Sequence, residues 1–234
     1  MTLPENLAAI CERVLGKARS TDRNSSKIAL MAVCKMQPAE RITEAYNAGQ
    51  RLFGENRVQE FAEKAGALAS LKDVEFHMIG HVQSNKAAKA VELFHAVDSV
   101  DSAKLAARLN AAAEALGKTL PVLIEINVGG EEAKSGVAPD SPELSEILNG
   151  AAAWFHLRIR GLMTVPPYTE DPEGARPYFR KLRELRDKLA ARNLAGISFD
   201  ELSMGMSHDF EVAIEEGSTC VRIGTAIFGE RKKP

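Results

Sequence analysis

Lys35 is the residue of this chain best suited to covalent chemistry. It directly follows the longest clear apolar run, Ile28 to Cys34, so its amine would end a buried strand. Desolvation there lowers the pKa of a lysine from about 10.4 and leaves neutral amine for Schiff-base formation with an aldehyde. The alternative is a rim lysine in an ordinary salt bridge, and the first strand by itself favours that alternative.

Two short loops near the C-terminus have the composition of an anion cradle. Residues 203–207 read SMGMS, and Gly224 and Thr225 follow the last apolar run. Glycines let backbone N–H groups approach an anion closely, and the hydroxyls of Ser203 and Thr225 add donors. Ordinary turns also use such glycines. Whether these loops indicate anion binding therefore depends on their position in the fold.

Period-two alternation along the strands orients the neighbours of Lys35. If Lys35 faces the interior, Met31 and Val33 share that face, and Cys34 points outward as a small packing residue. On the last strand the apolar neighbours of Arg222 suit the outer face, which leaves Arg222 on the inner one.

An inward guanidinium beside a phosphate loop needs a partner, because an unpaired buried charge is very costly. A lysine for an aldehyde, a cradle for a phosphate and an arginine for a ring nitrogen together describe pyridoxal 5′-phosphate (PLP). A lysine aldolase acting on a sugar phosphate would use the same lysine and loops. It would leave Arg222 without a ring partner.

The elements that must position these residues alternate along the whole chain. Strand-like runs lie around 28–34, 51–53, 74–79, 94–98, 121–128, 157–163, 199–203 and 220–223. Helical segments between them include 39–48, 55–69, 102–116, 173–193 and 208–216. A further helix, from Leu3 to about Ala18 with Pro4 in its first turn, precedes the first strand.

Eight strand–helix units without a linker predict an α/β fold, a single (β/α)₈ TIM barrel with an extra N-terminal helix. We expect one domain over 1–234, in which residues 1–20 form the helix that packs on the barrel. A doubly wound open sheet is the alternative, but no G-x-G-x-x-G turn follows the first strand. Barrels place their sites at the carboxyl ends of the strands, and commonly bind phosphate after strands seven and eight. The two glycine loops follow those strands.

The composition excludes several function classes. The formal charge of −2 over 234 residues gives no pull toward nucleic acid, and no apolar run approaches the roughly 18 residues of a membrane span. No signal peptide is visible at the start. The three cysteines, at 11, 34 and 220, argue against a disulfide framework or zinc cluster and predict a reducing, cytoplasmic location. His77 and His81 lie on a strand-to-loop segment, where that spacing forms no metal-ligand face.

Motifs along about 200 residues resemble the YggS/PROSC family of PLP homeostasis proteins, relatives of the N-terminal barrel of alanine racemase. The matching stretches, in order, are AVCKMQP at 32–38, FGENRVQE at 53–60, HMIGHVQSNK at 77–86, VDSVD at 97–101, KSG at 134–136, RGLMTVPP at 160–167, LSMGMSHDFEVAI at 202–214 and VRIGTAIFG at 221–229.

The resemblance implies a cofactor site, residue by residue. Lys35 stands where the family holds PLP as an internal aldimine, and Arg222 stands where it contacts the pyridine nitrogen. The other implied cofactor-binding residues are Asn56 near the ring, Ser203 with the adjoining Met204, and Gly224 and Thr225 at the phosphate. Cys34, Met36 and Arg57 depart from the residues that are commoner in similar sequences.

The resemblance also bears on catalysis. Similar racemases take a second acid/base group, a Tyr, from a separate C-terminal domain, which we expect to be absent; Tyr168 is the only tyrosine here considered for that role. An arginine at the pyridine nitrogen also makes PLP a weaker electron sink than an aspartate does. We therefore expect a non-catalytic carrier that buffers and delivers PLP; the alternative is a slow amino-acid racemase or other PLP-dependent enzyme. Apo PLP-dependent enzymes are the expected recipients, and the chain is expected to be a monomer or weak dimer without metal.

Overall fold

The structure, a computed structural model, describes residues 1–131 and 134–230. Eight parallel strands form a closed barrel in chain order, because β1 pairs with both β2 and β8. The strands are β1 (Ala29–Val33), β2 (Leu52–Glu55), β3 (Glu75–Met78), β4 (Ala96–Val100), β5 (Leu120–Glu125), β6 (Leu157–Met163), β7 (Ile197–Ser203) and β8 (Cys220–Ile223). The predicted TIM barrel is confirmed.

Helices surround the barrel on its outside. They are α1 (Leu3–Ser20), α2 (Ala39–Asn47), α3 (Val58–Leu68), α4 (Ala87–Leu93), α5 (Ala103–Ala115), α6 (Pro142–Gly150), α7 (Arg176–Ala190), α8 (Phe210–Glu215) and α9 (Thr225–Phe228). Short 3₁₀ turns occupy Ser25–Lys27, Ser84–Lys86, Ala151–Ala153 and Pro172–Ala175.

Two predicted helix starts are wrong by a few residues. The segment predicted from 55 begins as a helix at Val58, because Glu55 still belongs to β2. The segment predicted from 173 begins with a 3₁₀ turn, and the α-helix starts at Arg176.

The extra helix α1 is stabilised at both its start and its inner face. Thr2 caps its first turn reciprocally with Glu5. Its buried residues recur at helical spacing and pack toward α8 and α9: Leu3, Leu7, Ile10, Val14 and Ala18. Two salt bridges to α8, Arg13–Glu211 at 3.0 Å and Lys17–Glu215 at 2.7 Å, flank this contact. The helix therefore packs on the outside of the barrel against α8 and α9.

Successive residues at the end of β1 and just after it face two different layers of the protein. Ala32 and Cys34 are fully buried in the main apolar cluster that joins strands to helices. Met31 and Val33 lie outside that cluster, on the interior face. This alternation carries the next interior position, Lys35, to the carboxyl end of the barrel. Within the described residues, no helix is both long enough and apolar enough to cross a membrane.

Candidate functional site

A cavity of about 300 Å³ opens at the carboxyl ends of the strands. Its lining comes from the ends of six strands and the segments that follow them: Val33, Lys35, Asn56, Ile79, Val165, Met206, Ser207, His208, Arg222, Gly224 and Thr225. Larger depressions, of about 650 and 550 Å³, lie between helices on the outside of the barrel and contain none of the predicted site residues. The mouth cavity is therefore the candidate site.

Lys35 enters this cavity from the turn that follows β1. It is half-buried, and it lines the cavity together with Val33 two residues earlier. Cys34, between them, points to the helix side and is fully buried. Burial raises the pKa of the Cys34 thiol well above its usual value, so Cys34 remains a neutral packing residue. The side-chain orientations agree with the alternation predicted for this strand.

Arg222 forms part of the floor of the cavity. Its side chain is only 3% exposed, and it donates hydrogen bonds of 2.7 Å to the Oγ of Ser203 and the carbonyl of Thr164. Burial lowers the pKa of Arg222, and nearby acidic groups, including Asp98, oppose that shift. An arginine stays protonated in proteins, so the floor carries a positive charge held by two neutral acceptors.

A buried carboxyl group shares the interior with Arg222. Burial raises the pKa of Glu125 to about 7, and the charge of Asp101 adds to that shift while Arg222 opposes it. Glu125 is 7% exposed, and its Oε2 finds no hydrogen-bond partner among the described residues. Near neutral pH Glu125 is therefore only partly ionised and offsets the charge of Arg222 only in part.

The two glycine loops meet at one side of the cavity. Gly224 and Thr225 line it, and the backbone N–H of Ala226 donates to the Oγ of Ser207 at 3.4 Å across the two loops. Gly205 has φ +94°, a conformation that favours glycine, and a Cβ there would meet the Cβ of Ala213 at 2.5 Å. The N–H of Met206 then donates to Asp209 at 2.6 Å, which fixes the rest of the loop.

Two of the predicted site residues, Ser203 and Met204, are not among the residues that line the cavity. Ser203 is still part of β7; it is fully buried, and its hydroxyl accepts from Arg222 beneath the cavity. Met204 is also fully buried, in the apolar cluster on the helix side. Because the chain turns at Gly205, the residues that reach the cavity from this loop are Met206 and Ser207. The glycine inside SMGMS was the available signal for that turn.

Asn56 lies directly after β2 and lines the cavity. The backbone of Gly80 packs against that of Asn56 so closely that a Cβ at position 80 would collide with the Asn56 carbonyl. Arg57, the next residue, is exposed and lines a separate depression of about 250 Å³. Ile79, Val165 and His208 complete the wall, and nothing in the sequence singled them out.

Tyr168 and the histidines lie outside the cavity lining, with the exception of His208. Tyr168 is 79% exposed, and its ring lies 5.6 Å from that of His208. His77 contacts Asp98 at 3.2 Å, and His81 contacts Asp101 at 2.8 Å. Among residues 1–131 and 134–230, no three His, Cys, Asp or Glu side chains form a group that could hold a metal ion.

Comparison with known proteins identifies the barrel. The sequence profile of the family described as "Alanine racemase, N-terminal domain" matches residues 11–232. The chain belongs to this family. That membership agrees with the closed barrel.

Full-length relatives confirm the more specific resemblance to the PLP homeostasis proteins. The pyridoxal phosphate homeostasis protein of Aquifex aeolicus is 46% identical over 232 residues, which cover 99% of this chain and 100% of that protein. The protein of the same name from Pseudomonas aeruginosa is 42% identical, covering 98% and 96%. PipY of Synechococcus elongatus, solved with PLP bound, superposes with a TM-score of 0.84 at 37% identity, covering 97% of this chain and 100% of PipY.

Proposed function

We propose that this chain binds PLP in the mouth cavity and takes part in PLP homeostasis, as a carrier that buffers and delivers the aldehyde. The observation that carries the proposal is that Lys35, Arg222 and the two glycine loops line one cavity of about 300 Å³. This volume lies at the lower end of the range for small-molecule sites and suits a compact ligand. The PLP-bound relative PipY supports the choice of ligand.

Each part of the ligand has a chemical partner in the cavity. The amine of Lys35 adds to the aldehyde and, with loss of one water, forms an imine. The hydroxyls of Ser207 and Thr225 and the backbone at Gly224 take the phosphate. Arg222 donates to the ring nitrogen, and Asn56 lies beside the ring. In this proposal Ser203 acts through Arg222, and Met204 packs behind the loop.

The nature of Arg222 favours a carrier over an enzyme. A protonated guanidinium makes the ring nitrogen an acceptor and keeps it unprotonated, which weakens the ring as an electron sink. Tyr168, the tyrosine considered as a second acid/base group, lies outside the cavity lining. We propose apo PLP-dependent enzymes as recipients, with residues 1–234 acting as one cytoplasmic unit, as a monomer or weak dimer.

Borohydride reduction tests the site, and an activity assay tests the carrier role. After reduction in excess PLP, we expect one phosphopyridoxyl group on the peptide that contains Lys35. Lys35→Ala should abolish it, whereas Lys72→Ala, at an exposed loop lysine, should retain it. Recovery of unmodified Lys35 would refute the site. Robust conversion of L-alanine to D-alanine that depends on Lys35 would replace the carrier by a racemase.

A further inference from the structure

A buried lysine on α3 lies against the turn that carries Lys35. Lys64 is 9% exposed, and its Nζ is 2.6 Å from Oε1 of Glu55 and 3.1 Å from Oε1 of Glu60. Neither Lys64 nor Glu60 lines the mouth cavity. Their contacts must therefore act on the site through other residues.

The contacts of this pair reach the backbone on both sides of Lys35. Lys64 Nζ donates to the carbonyl of Cys34 at 3.3 Å and to that of Gln37 at 3.0 Å. The backbone N–H of Met36 donates to Oε1 of Glu60 at 2.5 Å. Three hydrogen bonds between α3 and residues 34–37 thus hold this segment, the lysine turn: two donated by Lys64 and one accepted by Glu60.

The lysine turn has a conformation that needs such support. Met36 has φ +60°, in the left-handed region that side chains with a Cβ disfavour. The N–H of Gln37 donates to the carbonyl of Cys34 at 3.0 Å and closes the turn. Residues held in this region persist only where the surroundings enforce the geometry. Here the surroundings are Lys64 and Glu60.

The charge of Lys64 is retained and balanced locally. Burial by itself lowers the pKa of Lys64, but the hydrogen bond and attraction of Glu55 outweigh it and raise the pKa. Burial raises the pKa of Glu55, and Lys64 opposes that shift. The thiol of Cys34 also donates to Oε1 of Glu55, at 3.1 Å. Lys64 is therefore a bound cation and not a second amine nucleophile.

We propose that Lys64 and Glu60 are positioning residues, which hold the lysine turn in its left-handed geometry and thereby direct the amine of Lys35 into the cavity. This inference rests on the proposed function, because it assigns a role in the capture of the PLP aldehyde. The pair sets where the amine stands, whereas in the proposed function the loops after β7 and β8 bind the anion. Loss of the pair should therefore impair imine formation and leave anion binding intact.

Glu60→Ala is the test variant, because Glu60 is partly exposed and its loss leaves the Glu55–Lys64 contact in place. The matched control is Glu63→Ala, at an exposed position of the same helix. For wild type and both variants we would measure the rate and equilibrium constant of imine formation with PLP by absorbance. Competition by inorganic phosphate reports the anion side.

We expect roughly a tenfold loss in the imine equilibrium constant for Glu60→Ala, with the phosphate constant unchanged and Glu63→Ala like wild type. Adding Met36→Asn should restore most of the loss, because asparagine tolerates the left-handed region. Lys64→Met should give the same pattern if it folds; Glu60→Ala carries the test if it does not.

Three outcomes would overturn the inference. Glu60→Ala could form the imine as wild type does, imine formation and phosphate binding could fall together, or Met36→Asn could fail to restore the loss. Absence of imine at Lys35 in the wild-type protein would instead refute the proposed function itself. The two failures are therefore distinguishable.

Discussion

Lys64 and Arg222 are two buried cations near the barrel mouth, and their surroundings differ. Lys64, beside the lysine turn, contacts two carboxylates and two backbone carbonyls. Arg222, on the floor, donates to a hydroxyl and a carbonyl, both neutral. Carboxylates that pair with a cation cancel most of the electrostatic potential that it would present to a ligand. A cation held by neutral acceptors still attracts one.

In the proposed function, this difference separates a charge that stabilises the turn from a charge that binds the ligand. Desolvation makes each buried ion expensive, and the cost is offset only by close and complete partners. Around Lys64 those partners belong to the protein. Around Arg222 the acidic groups of Asp98, Glu125 and Asp209 oppose the effect of burial on its pKa without outweighing it. In the proposed function, an acceptor on the ligand adds a partner to Arg222.

The largest effect should follow from removing a carboxylate partner of Lys64. Glu55→Leu removes the closest carboxylate of Lys64 and leaves a buried ammonium with less compensation. We expect the free energy of unfolding of the PLP-free protein to fall by about 4 kcal/mol, measured by urea denaturation.

Glu63→Leu serves as the control for that loss, because Glu63 is exposed on α3. It should change the free energy of unfolding by no more than about 0.5 kcal/mol. A Glu55→Leu protein as stable as its control would contradict the assignment of Lys64 as a charge whose role is structural.

The surroundings of Lys64 show what the sequence could not predict. Residues 60 and 64 read as an ordinary Glu–Lys pair one helical turn apart, of the kind that usually lies on a solvated surface. Their burial depends on how α3 packs against the turn after β1, and on Glu55 from β2 reaching the same point. The left-handed φ of Met36 also has no signal in the residue type. Such contacts between elements are absent from any periodic pattern.

The barrel and the binding side were more accessible to sequence reasoning. Repeated strand–helix alternation predicts the closed barrel, and period two places Lys35 and Arg222 on its inner face. The loop after β7 shows the limit of that reasoning. SMGMS contains two serines, and only the point where the strand turns, at Gly205, decides that Ser207 and not Ser203 reaches the cavity. Strand ends are the part of an element that local pattern defines least well.

A largely buried histidine with carboxylate partners extends the comparison to pH. His77 lies 3.2 Å from Asp98 and 3.5 Å from Glu75, with Glu201 also in its field. Burial alone lowers the pKa of His77, but Asp98 and Glu75 outweigh it and raise the pKa to about 10. A raised folded-state pKa contributes stability that is complete below the unfolded value of 6.5 and is lost as pH rises toward 10.

We therefore expect wild type to lose more stability across that interval than His77→Gln does, by an amount on the order of a few kcal/mol. Denaturation curves at several pH values measure the difference between the two proteins, which removes the titration of other groups. Affinity for PLP should be the same in both, since His77 is outside the cavity lining. If the free energy of unfolding depended on pH in the same way in both proteins, His77 would not be a cation stabilised by its carboxylate partners.

The smallest and most specific effect concerns Arg222. Arg222→Met keeps an unbranched side chain but removes the donor, and we expect PLP binding to weaken by about 2 kcal/mol, roughly 30-fold.

The variant also leaves the Oγ of Ser203 and the carbonyl of Thr164 without the donor that Arg222 supplies. The loss of affinity by itself therefore does not isolate the contact to the ring nitrogen. A PLP analogue with carbon in place of the ring nitrogen supplies the second arm of a thermodynamic cycle. Wild type should prefer PLP over this analogue, and Arg222→Met should bind the two alike. If the preference survives in the variant, the ring nitrogen has another partner. The charge of Arg222 would then serve the barrel interior, as that of Lys64 serves the lysine turn.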